Sequence, residues 1–462
     1  MHFCFWYEMV EYSNISCMKT DGFFFRISFI FLVVLCTRQG HTQDKQWHID
    51  TVGYLPEPLT NTAVVSATVS DTPFVYAFGG LDKTKKYNGI HLRSYRYNTI
   101  SRQVQRIEDI PDSRGKIAMA ASRIGRIIYI IGGYHVYKNG AEKSSLRVHR
   151  FDTEANHFIP DAAPLPVPID DHVQAVWRDS LIYVITGWSN RSNVSNVQVY
   201  NPVSNTWTAA DPVPNNEQYK SFGASGCIVG DTIYYLGGAS DGRNFPIQNV
   251  LRWGIIDSAH PTRIEWHSSR PSGFDGIYRS ACAKLKEQPY WIGGSGDTYN
   301  YDGKAYRTGK GVPPAERVFS LKRSQTLALG SNPLPGLPMD LRGAAATNDS
   351  TIYLMGGMRE RQQVSDAILR VTGQRITKVV EGDNKSSGSI RICPNPANRV
   401  IYLCSLMGDR FPVPYSIVSA AGNRTLNGVL DAEATVDITG LPPGLYYFIT
   451  SKAKLPLAVL PY

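Results

Sequence analysis

Basic side chains recur at one fixed distance before a glycine, and they could bind an anion. A repeated apolar segment ends in two residues, and the second of them is always glycine. Three basic residues each stand fifteen positions before that second glycine: His172, Arg279 and Arg342. A guanidinium group can hold a carboxylate or a sulfate through two parallel hydrogen bonds. If these side chains converge, the spacing predicts a cationic site for an anionic ligand, for example an acidic sugar.

Four neighbouring residues extend this candidate site. Arg114 and Lys220 occupy the same segment in two other repeats, and Asp171 and Tyr278 precede His172 and Arg279 directly. Asp170, Asp171, Tyr278 and Asp340 could supply an acid and a base, but spacing alone assigns no catalytic residue. The predicted ligand-binding residues are therefore Arg114, Asp171, His172, Lys220, Tyr278, Arg279 and Arg342. A second interpretation stays open, in which the arginines only bond exposed carbonyl groups of a neighbouring repeat.

The elements that position these residues repeat six times. The segment "IYIIGGYH" at 128–135 is one copy, and the second glycine of each copy stands at 80, 133, 187, 238, 294 and 357. The period is therefore near fifty residues. Glycine is favoured where φ is positive or where one backbone approaches another closely. Thr186 replaces the first glycine of the third copy.

Each repeat predicts four antiparallel strands. A small-residue strand and a tight turn precede the apolar strand, and a hairpin follows in which aromatic or apolar residues recur seven apart, as Tyr200 and Trp207 do. Such sheets bury both faces only when they stack radially. The predicted fold class is all-β, a six-bladed β-propeller followed by a small C-terminal β-sandwich. The segment 46–59 is preferred over 374–382 as the outer strand of the last blade.

The repeats resemble the kelch family. The residues that carry the resemblance are the apolar run into Gly-Gly, the aromatic residue that begins the hairpin and the tryptophan about seven residues on, over residues 46–381. The fifth repeat departs from the pattern after Gly294. The resemblance implies a kelch propeller at 44–381. Sialic-acid epimerases or mutarotases are also six-bladed kelch proteins, so that enzyme class is an alternative function.

Galactose-oxidase-like copper enzymes share the kelch fold and need two histidines and two tyrosines around the metal. The histidines of this chain show no obvious pairing, and no zinc or calcium spacing occurs. The sequence therefore predicts no metal and no other cofactor.

The first 43 residues resemble a secretion signal. A nine-residue apolar run, "ISFIFLVVL" at 27–35, follows Lys19 and Arg26 and precedes a polar segment. It is too short to span a membrane as a helix, so no stable transmembrane segment is predicted. Met18 is an alternative start, and Cys36 would be the acceptor if the signal belonged to a lipoprotein. The chain is therefore expected to be exported.

The last eighty residues predict a second unit. A polar linker at 382–388 leads to alternating strands at 389–462. Their landmarks resemble the C-terminal sorting domain of the type IX secretion system of Bacteroidetes: Pro394, Asn395, Pro396, Gly422, Gly444, Leu445 and Tyr446. The resemblance implies delivery by outer-membrane secretion machinery to the cell surface or the medium. The chain ends in "LPLAVLPY" where that family usually ends on a basic residue, and an immunoglobulin-like accessory module is the alternative.

Removal of a leader leaves four cysteines, Cys227, Cys282, Cys393 and Cys404. Four cysteines permit three complete pairings, and the sequence does not choose between them. Cys227 and Cys282 occupy matching places in neighbouring repeats. Buried free thiols and a disulfide both fit that placement.

Composition narrows the function classes. The chain of 462 residues has 42% hydrophobic and 19% charged residues and a net charge of +9. The lysines and arginines are dispersed and no nucleic-acid-reading motif occurs, so nucleic acid is not a predicted partner. The leading hypothesis is an exported binding module for a glycan or protein ligand, expected to be anionic. The alternatives are an epimerase or mutarotase acting on a sialic-acid-like sugar, and a structural or adhesive surface protein.

Overall fold

The computed structural model describes residues 45–323, 327–375, 391–393, 397, 400–404, 413–419, 424–430, 435–450 and 454–460. Their regular structure is all β-strand except for two 3₁₀ turns, Tyr87–Gly89 and Glu360–Gln362, which confirms the all-β fold class. The chain divides into two compact units, one up to Arg375 and one from Ile376 onward. The predicted leader at 1–43 and the linker at 382–388 lie outside the described residues. Within the described ranges, no helix is long and apolar enough to cross a membrane.

The described part of the first unit contains six antiparallel sheets, called blades 1 to 6, and each has four main strands. From inner to outer, blade 1 contains Ala63–Val69, Thr72–Asp82, Ile90–Asn98 and Val104–Ile107. Blade 2 contains Ile117–Ile124, Ile127–Val136, Val148–Asp152 and His157–Ile159. Blade 3 contains Val173–Trp177, Leu181–Ile185, Val197–Asn201 and Thr206–Ala210. Blade 4 contains Ser225–Val229, Thr232–Leu236, Leu251–Ile256 and Ile264–Ser269 in the same order. Blade 5 contains Ala281–Leu285, Gln288–Ile292, Arg317–Arg323 and Leu327–Pro333. Blade 6 contains Ala345–Ala346, Thr351–Met355, Ala367–Arg375 and Lys45–Tyr54. The additional short strands are Leu59–Thr60, Glu142–Ser144, Trp188–Ser189 and Ser192–Asn193.

The apolar runs form strands that are buried on both faces. Ile182 and Val184 pack into the core between blades 2 and 3. Tyr183 and Ile185, which alternate with them, pack into the core between blades 3 and 4. Successive side chains of a strand point to opposite faces, so a strand between two neighbours must be apolar at every position. This is why the repeats read as continuous apolar runs.

The inner strands contact one another in a closed circle, from blade 1 through blade 6 and back to blade 1. The N-terminal strand Lys45–Tyr54 closes the last sheet because it pairs with Ala367–Arg375, with Trp47 opposite Gly373. The preferred outer strand of the last blade is therefore correct. Gln374 and Arg375 belong to the third strand of blade 6, and the rest of the competing segment lies outside the described residues.

The glycine pairs join each blade to the next. The N–H groups of Gly133, Gly238 and Gly294 donate to carbonyl groups at the start of the following blade over 3.0, 2.7 and 3.1 Å. A Cβ on the preceding glycine, at φ +66 in Gly237, would collide with the same carbonyl. Thr186 keeps this link with its hydroxyl, which accepts the N–H of Ser221 at 3.0 Å.

The second unit contains two described sheets. One holds Arg391–Cys393, Val400–Cys404 and Thr435–Asp437, and the other holds Arg424–Leu430, Val413–Ser419, Gly444–Thr450 and Lys454–Val459. Side chains of both sheets share one apolar core, including Ile401, Ile417, Val436, Phe448 and Leu457.

Three of the sorting landmarks lie within the described part of this unit. Gly444, Leu445 and Tyr446 begin a strand, and the Tyr446 hydroxyl donates to the Pro442 carbonyl at 2.7 Å. Pro394, Asn395, Pro396 and Gly422 lie outside the described residues. The sorting role stays a prediction.

Candidate functional site

One residue at the start of each blade has a left-handed backbone, and these six residues surround the propeller axis. We call them the axial ring; they are Asn61, Ala118, Asp171, Gly223, Arg279 and Asp340, with φ between 47 and 66. Asp171 N–H donates to Ala118 at 3.0 Å, and the N–H groups of Gly223 and Arg279 continue the chain at 2.8 Å each. The Leu341 N–H donates to the Arg279 carbonyl, and the Asn61 N–H donates to the Asp340 carbonyl. The Ala118 N–H donates to the side-chain oxygen of Asn61. The ring therefore ties all six blades together around the axis.

Side chains of the ring form a buried ion network. Arg279 donates from Nη2 to Asp171 Oδ2 at 2.5 Å and from Nη1 to Asp340 Oδ1 at 3.1 Å. Asp340 also accepts from Thr60 Oγ1 and Asn61 Nδ2, each at 2.8 Å. Arg279 is 1% exposed, and the carboxylates are as deeply buried. Burial lowers the pKa of Arg279, but the electrostatic interactions with Asp171, Tyr278 and Asp340 together outweigh burial and raise the pKa well above its usual value.

Arg342 completes this network from blade 6. Its Nη2 donates to the carbonyl of His172 at 2.8 Å, and its Nη1 lies 3.4 Å from Asp171 Oδ1. Two guanidinium groups therefore face two carboxylates, those of Asp171 and Asp340, and the formal charges cancel. A buried charge is tolerated when it is paired and hydrogen-bonded in this way.

The structure brings together only some of the predicted site residues. Asp171, Arg279 and Arg342 meet at the axis, whereas the sequence predicted an open cationic funnel there. The difference arises because blades 3 and 6 supply carboxylates that neutralise the arginines. Asp340, two residues before Arg342, was considered from the sequence only as a candidate acid or base and not as a ligand contact. The assignment of these side chains as ligand contacts stays a prediction.

Within the described part of the chain, the side chains of the other predicted basic residues form no ion pair with that network. His172 is 1% exposed and its Nε2 lies 3.0 Å from Gln174 Oε1. Burial, and then Arg342, lower the pKa of His172 to about 4, so the imidazole is neutral at pH 7. Arg114 is exposed, with its guanidinium 4.7 Å from the centre of the Tyr137 ring.

Lys220 is the remaining predicted basic residue. Its Nζ lies 3.8 Å from Asp241 Oδ2 in blade 4. Lys220 is half-buried, so this long ion pair leaves part of the ammonium group open to solvent. Among the predicted basic residues, Arg114 and Lys220 are the two that solvent reaches.

An aromatic layer covers the ion network. Tyr278, which is fully buried, packs against Phe222 and Tyr299 with ring centroids 5.7 and 5.1 Å apart. The Arg279 guanidinium lies 5.2 Å from the Tyr278 ring and 5.6 Å from the Tyr299 ring. Half-buried Trp188 and Phe245 extend the layer, each packing on Phe222. The layer therefore separates the axial charges from solvent on this side.

Loops between the second and third strands surround the aromatic layer. They span residues 83–89, 137–147, 188–196, 239–250, 295–316 and 358–366. Each is hydrogen-bonded to a neighbouring loop: Lys85 to Gln362, Gln362 to Val312, Thr298 to Phe245, Asn193 to Ala239, and Ser144 to Asn190. These bonds place all six loops on one face, and we call this set the rim.

The rim carries a strong excess of free positive charge. Ten of its exposed basic residues have no ion-pair partner among the described residues: Lys83, Lys86, Lys138, Lys143, Arg191, Arg243, Arg307, Lys310, Arg359 and Arg361. Only Glu142 and Glu360 are exposed carboxylates within the same loops. Sequence reasoning missed this surface because the loops differ in length and its residues have no fixed spacing from the glycines.

A cavity of about 100 Å³ lies further along the axis, within the inner strands. Its polar lining includes two of the predicted site residues, His172 and Arg342, together with Gln174, Ser225 and Ser280. Within the described ranges, no group of three or more His, Cys, Asp or Glu residues could hold a metal ion.

Comparisons with known proteins agree with this architecture. The KLHDC2/KLHL20/DRC7 Kelch-repeats domain matches residues 37–238. Kelch-like protein 36 of Mus musculus is 26% identical over 174 residues, which is 38% of this chain and 26% of that protein. Kelch-like protein 26 of Danio rerio is 23% identical over 170 residues, which is 37% of this chain and 27% of that protein. The matches therefore span about a quarter of these relatives.

A solved structure supports the same fold. The structure described as "Structure of YjhT" aligns over 70% of this chain and 100% of its own, with a TM-score of 0.55 and 15% identity. That likeness shows the fold alone. The circle of inner strands, the glycine links and these matches lead to one conclusion: the first unit of this chain has a β-propeller fold, and its residues 37–238 are similar to kelch repeats.

Proposed function

We propose that this chain is a binding module that holds an anionic ligand on the rim of its propeller. The observation that carries the proposal is the set of ten exposed, unpaired basic residues on six hydrogen-bonded loops. Exposed cations of one sign raise the local concentration of anions and speed their association. The half-buried rings of Trp188 and Tyr306 add apolar surface inside the rim. An acidic glycan could use both features.

The axis is less suited to this role than the rim. Asp171, Arg279 and Asp340 already satisfy one another beneath the aromatic layer. An epimerase or mutarotase acting on a sialic-acid-like sugar would need an acid and a base within hydrogen-bond reach of the sugar. The buried axial groups do not offer that access, so catalysis ranks second. A purely structural or adhesive protein ranks third because it would need no basic rim.

Export is part of the proposal. Its support is the leader-like apolar run at 27–35 and the sorting landmarks of the last eighty residues. In this proposal, type IX secretion machinery carries the propeller across the outer membrane, where acidic surface glycans are accessible. Surface labelling of cells that express the full chain or a chain ending at residue 388 tests delivery. Equal surface labelling of both would contradict the sorting role.

Ligand binding is tested with the full chain against heparin, polysialic acid and neutral dextran, by equilibrium binding at fixed ionic strength. The expected result is binding to the two acidic polymers and none to dextran. A rim variant, Arg243→Ser with Arg307→Ser and Arg361→Ser, should weaken binding at least tenfold, or about 1.4 kcal/mol.

A matched variant on the opposite face supplies the control. Arg102, Arg263 and Lys286 are exposed residues in turns at the other end of the strands. Replacing all three by serine removes the same charge and should leave binding within about twofold, or 0.4 kcal/mol. Equal losses in both variants would contradict a rim site. Interconversion of sialic acid anomers by the wild-type protein, followed by NMR, would favour the enzyme alternative.

A further inference from the structure

We propose that Cys227 and Cys282 are joined by a disulfide that links the inner strands of blades 4 and 5. Cys227 lies in Ser225–Val229 and Cys282 lies in Ala281–Leu285, and these two strands are neighbours in the circle around the axis. This bond would join the two blades near the axis, and it does not depend on the ligand proposed for the rim.

Strand register places the two thiols opposite each other. The hydroxyls of Ser225 and Ser280 are 2.9 Å apart across the boundary between the blades. Cys227 and Cys282 each follow two residues later. Side chains two residues apart in a strand point to the same face. The cysteines therefore repeat the facing arrangement of the serines one step further along the strands.

Packing independently assigns both cysteines to this boundary. Cys227 is paired across the sheet with Tyr234, and directly paired residues share a face of the sheet. Tyr234 and Cys282 pack into one apolar cluster with Leu236 of blade 4 and Trp291 of blade 5. Cys227 therefore faces blade 5, and Cys282 faces blade 4.

The two thiols also interact in the structure, which holds them unbridged. Burial raises the pKa of Cys282 well above its usual value, and a hydrogen bond with Cys227 raises it further. Cys282 therefore stays protonated at neutral pH. Only a thiolate attacks a disulfide, so oxidation should be slow at neutral pH and faster at higher pH. Both cysteines are partly exposed, and Cys282 lines the axial cavity.

The oxidation needs a disulfide oxidant, such as oxidised glutathione. One cysteine thiolate attacks that disulfide and releases one glutathione thiol, leaving a mixed disulfide on the protein. The second cysteine then attacks the protein sulfur of the mixed disulfide and releases the second glutathione thiol. Overall, two S–H bonds are lost and one S–S bond forms, and two electrons and two protons pass to glutathione.

Peptide mapping of the full chain tests the proposal directly. The protein is incubated with oxidised glutathione under native conditions, alkylated and digested with trypsin without reductant. The expected product is the peptide Ser221–Arg243 joined to the peptide Ser280–Lys284, and a reductant should separate this product into its two peptides. Full alkylation of both cysteines, stable glutathione adducts, or links to Cys393 or Cys404 would overturn the proposal.

Thermal unfolding supplies the second readout. Closing the segment between the two cysteines should raise Tm by about 5 °C, reversibly on reduction. The double variant Cys227→Ser with Cys282→Ser should show no redox-dependent change in Tm. Cys393→Ser with Cys404→Ser is the matched control and should keep the full shift. An equal shift in the Cys227/Cys282 variant would assign the effect to other cysteines and contradict the proposal.

Discussion

The axis and the rim of this propeller use arginine in opposite ways. Arg279 is 1% exposed and bonded to two carboxylates, whereas Arg361 is exposed and has no ion-pair partner among the described residues. A buried charge must be paired, so an axial arginine is committed to the scaffold. An exposed arginine keeps its donors free for an external anion. The same residue type is therefore buried in ion pairs at the axis, whereas on the rim it stays free for the recognition role that we propose.

The largest expected effect is the loss of Arg279. Arg279→Ala leaves Asp171 and Asp340 buried without their shared cation, which should lower the free energy of unfolding by about 3–5 kcal/mol. Urea-induced unfolding measures this change. Arg361→Ala is the control and should change stability by about 0.5 kcal/mol or less. Equal, small effects in both variants would contradict the buried axial network.

The next effect concerns pH and His172. Its folded-state pKa of about 4 lies below the unfolded value of 6.5, so the unfolded chain binds the proton first as the pH falls. The stability that neutral His172 provides is full above pH 6.5 and is lost as the pH approaches 4. The expected loss is about 3 kcal/mol.

His172→Gln removes this titration while it keeps a polar side chain. Unfolding free energies measured from pH 7 to pH 4 should therefore fall less steeply for the variant than for the wild-type protein. His91 has a similarly lowered pKa of about 4 and remains in both proteins, so the difference between the two curves isolates His172. Parallel curves would place His172 in contact with solvent.

A smaller effect separates close approach from backbone conformation. Gly237 and Gly230 both have positive φ, +66 and +59, but only a Cβ at Gly237 would collide with the next blade, at the Ile277 carbonyl. Gly230→Ala should lower the free energy of unfolding by about 1 kcal/mol, because alanine disfavours the left-handed backbone. Gly237→Ala should cost about 2 kcal/mol more, because the link between blades 4 and 5 must shift. If urea unfolding shows the same loss of stability for both variants, close approach between blades is not the reason for the glycine pairs.

The smallest effect is expected from a single rim residue. Arg243→Ala should weaken heparin binding only about threefold, because an exposed charge contributes less than about 1 kcal/mol. Isothermal titration at low ionic strength measures the affinity. Its stability should match that of the wild-type protein. A complete loss of binding would identify a localised pocket at Arg243 in place of a distributed rim.

Much of the fold could be predicted from the sequence because its determinants are local. The segment "IYIIGGYH" carries both the apolar strand and the glycine link, and the hairpin from Tyr200 to Trp207 carries its own turn residues. The axial pairing could not be predicted in this way. Arg279 and Asp340 meet only because the blades close into a circle, and the two residues are 61 positions apart in the sequence. The basic rim was not predicted either, because its loops differ in length and their basic residues have no fixed spacing in the repeat.

Salt dependence of heparin binding tests the central contrast most directly. Each phosphate or sulfate contact made by a cation releases counterions, so log affinity falls with log salt in proportion to the number of contacts. The account predicts a steep slope for the wild-type chain, and a slope shallower by about three in the rim variant of Arg243, Arg307 and Arg361. The Arg102, Arg263 and Lys286 variant should keep the wild-type slope. Unchanged slopes for the rim variant would contradict the assignment of recognition to the rim.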